Sequence, residues 1–183
     1  MNTYISILRG INIGGHKKIK MDALRQMYTN LGYTEVQSYI QSGNVTFNSS
    51  ETNILDIEKI ISEKILQTFG FEVTVLIITA DEFRNAIKTN PFQKDTLKDP
   101  AFMHLTFLSC IPENNLQDSI SPADYLPDEF RIIGRTIYIY CPNGYGNTKI
   151  TNNFFENKLK LTATTRNLKT CTELLSMAEK TSL

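Results

Sequence analysis

The sequence predicts an α+β protein built from two tandem ferredoxin-like (βαββαβ, alpha-beta plait) halves, the second less regular and followed by an extra C-terminal helix. Three observations lead there. Apolar strand-like runs and runs at helical spacing follow one another over residues 4–78 in the order βαββαβ. A weaker strand, hairpin and helix series recurs between residues 103 and 164. The 183 residues, 41% apolar and 21% charged, suffice for one good core or two small ones.

Residues 4–8 form the first strand candidate. Met21, Leu24, Met27, Tyr28 and Leu31 keep helical spacing, and Gly32 stands where a glycine ends a helix. Residues 36–39 and 45–47 read as two strands around Gln41-Ser42-Gly43-Asn44, a hairpin connection. Ile54, Ile57, Ile61, Ile65 and Phe69 trace one face of a second helix, stopped by Gly70. Residues 73–78, rich in β-branched side chains, complete the first half, assigned to residues 1–79.

The second half, residues 80–183, opens with a short helix over residues 81–88, closed by Asn90-Pro91. A strand follows at 103–108 and a short helix near 121–125. Residues 130–133 and 136–141 flank Gly134-Arg135 as a second hairpin. Helices are predicted over 149–161 and 168–179, the latter with Thr170-x-x-Glu173 as a capping box. Residues 162–164 are the candidate closing strand.

One segment concentrates chemistry. From Leu8 to Lys20 the chain carries three glycines, the cations Arg9, Lys17, Lys18 and Lys20, and no acid. Glycines between a strand and a helix let backbone N–H groups approach a ligand, and a helix N-terminus attracts anions. Arg9, Lys17 and Lys18 would supply charge, Gly14 and Gly15 backbone donors. In a βαββαβ unit the loop after the first strand and the hairpin between the second and third lie at one end of the sheet. That places Gln41, Ser42 and Asn44, together with Asn12, where amide and hydroxyl groups can orient a ligand.

The second half offers a partial echo. Residues 140–149 again pass from strand through Gly144 and Gly146 to a helix start, with Asn147 or Thr148 as N-cap and Lys149 at its positive end. The P-loop spacing is absent. Arg166-Asn167, at the start of the last helix, adds a third polar cluster.

Function classes narrow accordingly. The formal charge is zero overall, yet residues 21–129 hold 7 Lys/Arg against 16 Asp/Glu and residues 130–183 hold 8 against 3, leaving basic ends around an acidic middle. Three scattered cysteines argue against a disulfide framework or a zinc site. No secretory leader and no run of membrane-spanning length is visible, so a cytoplasmic protein without metal or cofactor is expected. The two histidines, His16 and His104, stand outside any G-x-S-x-G, H-E-x-x-H or C-x-x-C arrangement.

Leu8-Arg9-Gly10-Ile11-Asn12-Ile13-Gly14-Gly15, with Ile19-Lys20-Met21 following, resembles the opening signature of a bacterial family known only as domain of unknown function 1697. Residues 39–45 resemble its second signature and Asn90-Pro91-Phe92 a weaker third. Pro142-x-Gly144-x-Gly146-x-Thr148-Lys149 and Ala163-Thr164-Thr165-Arg166-Asn167 resemble two more, although Leu168 stands where the family usually has tryptophan. The resemblance implies two alpha-beta-plait halves and no established activity. Three functions remain open. The leading one is binding of a phosphate-bearing ligand, a nucleotide-like small molecule or a nucleic-acid backbone. The second is an acylphosphatase-like phosphohydrolase, with Arg9 holding phosphate and Asn44 orienting water. The third is a homo-oligomer or protein-interaction module.

Overall fold

A computed structural model, describing residues 1–180, arranges the first part of the chain as β1 (Asn2–Leu8), α1 (Met21–Asn30), β2 (Thr34–Tyr39), β3 (Asn44–Ser49), α2 (Ile54–Phe69) and β4 (Val75–Thr79). There follow α3 (Ala80–Lys88), β5 (Met103–Leu108), α4 (Asn114–Asp118), β6 (Glu129–Ile133), β7 (Thr136–Tyr140), α5 (Asn152–Leu159), β8 (Ala163–Asn167) and α6 (Leu168–Lys180). The result is a mixed α+β fold with two four-stranded sheets, ordered β2-β3-β1-β4 and β6-β7-β5-β8. Each neighbouring pair is antiparallel.

The apolar periodicities explain the helices. Met21, Leu24, Met27 and Tyr28 of α1 are buried, and so are Ile57, Ile61 and Ile65 of α2. Each such side chain contributes about 1.5–3 kcal/mol by leaving water. Both stripes meet the sheet side chains Tyr4, Val45, Phe47 and Ile77 in one core. Asn53 caps α2 by accepting the Leu55 N–H, and Gly70 ends it at φ +81°. A second core gathers Leu108, Phe130, Ile137, Ile139, Phe155 and Leu159.

The two sheets also share their edge chemistry. A carboxylate oxygen of Glu58, on α2, accepts the Ile77 N–H at 2.9 Å, and one of Glu156, on α5, accepts the Ala163 N–H at 2.9 Å. A helix carboxylate thus occupies a backbone donor on an edge strand of each sheet, the kind of device that blunts strand-to-strand association.

Chain contacts divide the protein into two units, one of Met1–Asn85 with the segment from Thr172, the other of Ala86–Cys171. Among the described residues no helix is long and apolar enough to cross a membrane.

Several local expectations are corrected. The helix expected from Lys149 starts at Asn152, with Thr151 as N-cap. Thr148 does not cap it: its hydroxyl donates to Asp128 at 2.6 Å and accepts the Ile150 N–H, a local side-chain alternative to helix. Lys149 therefore lies outside the helix rather than at its positive end. Arg166 and Asn167 finish β8 instead of starting α6, and the Asn167 side chain accepts the Thr170 N–H at 2.7 Å in place of the expected capping box. The helix α4, with no apolar stripe of its own, was not legible in advance.

Candidate functional site

The end of β1 is stitched on both sides. The Leu8 N–H donates to Gly43 O at 2.8 Å and the Arg9 N–H to Thr74 O at 2.9 Å. The expected convergence of the 9–20 loop with the 40–44 hairpin follows directly. Gly43 permits it: a Cβ there would lie 2.6 Å from the Leu8 Cβ and 2.9 Å from the Ile11 Cδ1, and its φ is +73°.

Asn12 holds the two segments together. At φ +56°, it donates through Nδ2 to Ile19 O at 3.0 Å and to Gln41 O at 2.8 Å, while its Oδ1 accepts the Ile19 N–H at 2.9 Å. Its amide is spent on the scaffold. Gly14 and Gly15, at φ +58° and +81°, form the tip of a tight turn in which the His16 N–H donates to Ile13 O at 3.0 Å. Positive φ at both central positions is the primed hairpin pattern, so the turn alone accounts for this glycine pair.

The loop's charges separate. Arg9, Gly10 and Lys17 line a cleft of about 800 Å³ shared with Glu58, Lys59, Glu63 and Glu72, and the Lys17 ammonium donates to Glu72 O at 2.6 Å. On another side of the loop, a cleft of about 560 Å³ is lined by Asn12, Gly15, Lys18, Ile19, Lys20 and Gln41, none of them acidic. Lys18, Lys20 and Gln41 are exposed, and among the described residues neither lysine joins an ion pair. Lys20 also serves as N-cap of α1, with no side-chain cap bond to the first-turn N–H groups. The first turn of α1 already carries one carboxylate, Asp22, which pairs with Arg25.

The hairpin residues play different parts. Asn44 is fully buried, and its Nδ2 donates to Tyr39 O at 3.2 Å and Ser42 Oγ at 2.9 Å. It has no exposed amide with which to orient a water. Gln41 contributes its backbone carbonyl to Asn12 and lines the cleft.

The second polar set gathers elsewhere. The strand pattern makes Ser109, not the 142–149 loop, the counterpart of Arg9: Leu108 N–H donates to Arg135 O at 2.9 Å and Ser109 N–H to Thr162 O at 3.0 Å. The 142–149 loop follows β7 and so lies at the opposite end of its sheet from Ser109. There Tyr145, between Gly144 and Gly146, donates its hydroxyl to Thr165 Oγ1 at 3.1 Å and stacks on His104 with ring centroids 4.7 Å apart. Thr165 in turn donates to Asn152 Oδ1 at 2.6 Å and lies 2.6 Å from the Thr106 hydroxyl. Lys149 lines a separate cleft of about 220 Å³ with Asp124, Asp128, Asn143 and Asn147, where two carboxylates oppose an anion. Arg166 is held in the sheet with its guanidinium on Thr165 O at 2.8 Å, and burial pushes it down to about 10.

Of the three cysteines, Cys110 is exposed while Cys141 and Cys171 are buried. Burial pushes the thiols of Cys141 and Cys171 up to about 11 and about 12, so both are neutral at physiological pH. Among the described residues no group of three or more His, Cys, Asp or Glu could hold a metal ion. Sequence reasoning credited Lys20 only with charge and passed over Ile19, and both line the Lys18 cleft.

Residues 1–138 match a family described as a protein of unknown function, DUF1697. Among solved structures the chain is similar to a conserved bacterial protein, SP0830, from Streptococcus pneumoniae, at 25% identity and a TM-score of 0.70, covering 97% of this chain and 98% of that one. No curated protein matches the sequence.

Proposed function

The chain belongs to the DUF1697 family, whose description assigns no activity, and from the cleft between the β1–α1 loop and the β2–β3 hairpin we propose that it binds a phosphate-bearing ligand there. One observation carries the reading. Of the three clefts described, only this one presents lysines, Lys18 and Lys20, with no carboxylate in its wall. Gln41 and Asn12 complete a wall without acidic residues. The strand order shared by both sheets supports reading each as a ferredoxin-like half, with the site on the first.

The basic set is smaller than the sequence suggested. Arg9 and Lys17 belong to the mixed-charge cleft, and Lys17 is committed to the Glu72 carbonyl. The hydrolase alternative loses its water-orienting group with the burial of Asn44. Binding is therefore the stronger reading.

Pyrophosphate titrated against the wild type and a Lys18→Ala/Lys20→Ala variant tests it. Each exposed charge near a helix end is worth about 0.3–1 kcal/mol, so the pair should lower affinity roughly three- to thirtyfold. The loss should shrink as salt rises. Equal affinity in a folded variant would overturn the proposal.

A further inference from the structure

We infer that the mixed-charge cleft between α2 and the edge strand β4 is a second binding site, which takes a short zwitterionic peptide whose middle residue pairs with the Val75 backbone. In its sheet β4 has a neighbour on one side only, β1. The register decides which of its backbone groups face outward. The Leu8 N–H donates to Gly43 O, towards β3, and the Arg9 N–H to Thr74 O, towards β4. Bonding direction alternates along an antiparallel ladder, and Val75 stands opposite Leu8 as Ile77 stands opposite Ser6. Val75 and Ile77 therefore turn their N–H and C=O groups away from β1.

Side chains of α2 occupy most of that outward edge. Glu58 accepts the Ile77 N–H at 2.9 Å, and the Ser62 hydroxyl donates to Val73 O at 3.0 Å. Val75, midway between them, lines the cleft, and among the described residues no side chain takes its N–H or its C=O. Its own side chain belongs to the first core, so the backbone is what it offers. A strand's donor and acceptor need partners, and an extended peptide supplies both at once. The two α2 bonds also limit the length. From Val73 to Ile77 an extended strand covers about 13 Å at roughly 3.3 Å per residue, room for about three peptide residues. A longer strand finds the flanking edge positions already filled.

The charges of the cleft fit the same class. Its wall carries Arg9, Lys17 and Lys59 with Glu58, Glu63 and Glu72, three cations and three anions. A ligand of one sign meets repulsion from half of that set, whereas an ammonium and a carboxylate each find a partner. Lys59, Glu63 and Glu72 are exposed and join no ion pair among the described residues, which leaves them available to the two termini of a peptide. The volume of about 800 Å³ falls within the range of small-ligand sites. Lys18 and Lys20 take no part here, so neither cleft's outcome decides the other's.

Titration of the full-length protein with triglycine, followed by amide NMR shifts, tests the assignment. Triglycine should bind and shift the Val75 amide resonance. Trisarcosine keeps both terminal charges but has no amide N–H, and should bind at least tenfold more weakly. N-acetyltriglycine amide keeps the peptide groups, lacks both charges and should lose at least threefold. Pentaglycine should bind within tenfold of triglycine. Lys59→Gln and Glu63→Gln, both at exposed positions, should each weaken triglycine at least threefold and leave pyrophosphate at the Lys18 cleft unchanged. Absence of triglycine binding, or binding that leaves the Val75 amide unmoved, would overturn the site. Trisarcosine binding as tightly as triglycine would overturn the backbone pairing. Equal affinity for the blocked peptide, or for both glutamine variants, would overturn the zwitterion requirement, and a gain above tenfold for pentaglycine the length limit.

Discussion

Asn12 donates through its side-chain amide to the backbone carbonyl of Gln41 at 2.8 Å, and this bond ties the loop after β1 to the hairpin between β2 and β3. The same amide holds Ile19 through two further bonds, so one side chain sets the geometry of the cleft wall. The position also requires a left-handed backbone, which asparagine tolerates better than most residues.

Asn12→Ala should therefore remove three hydrogen bonds and add backbone strain, for about 3 kcal/mol in total. In a chain of this length that corresponds to roughly 6–12 °C in melting temperature. Asn12→Gly keeps the backbone conformation and should lose less. Melting curves for both variants check the ranking, and an alanine variant as stable as wild type would show that these bonds do not hold the loop.

Gly43 gives a second prediction, by contrast with Gly134 in the other hairpin. Both have positive φ, +73° and +59°, but a Cβ on Gly43 would meet Leu8 at 2.6 Å, while one on Gly134 meets nothing within 4 Å. Gly134→Ala should cost only the conformational strain, about 1 kcal/mol. Gly43→Ala adds a clash with a backbone-anchored Cβ and should cost about 2–4 kcal/mol. Denaturant titrations of the pair isolate the close approach, and equal losses would refute it.

Much of this was legible in the chain because it follows from local rules. The Ile57, Ile61 and Ile65 stripe and the Gly70 stop define α2 without tertiary information. The antiparallel order of β1, β3 and β2 then brings the 9–20 loop to the Gln41 hairpin, as the element order implied. What stayed hidden depends on where side chains turn after the backbone is set. Sequence adjacency grouped Lys17 with Lys18, yet the positive φ at Lys17 sends its ammonium to Glu72 while Lys18 lines the other cleft. The glycines of 144–146 mimicked a strand-to-helix phosphate turn, but the Thr148–Asp128 bond delays the helix to Asn152.

His104 yields a pH prediction. Burial lowers its pKa below the ordinary 6.5, and its bond to Phe102 O only partly opposes this. The unfolded chain, with an ordinary imidazole, then binds the proton more readily than the folded one. The stability associated with the neutral ring is complete above the unfolded value and is lost as pH falls through 6.5 towards the folded pKa. His104→Phe keeps an aromatic ring against Tyr145 and removes the titration. Urea midpoints compared at about pH 7.5 and about pH 5.5 should show wild type losing more stability on acidification than the variant, by less than the full linkage of one proton. Parallel losses in the two proteins would mean that His104 titrates alike in the folded and unfolded states, and that its place beneath Tyr145 is not closed to water.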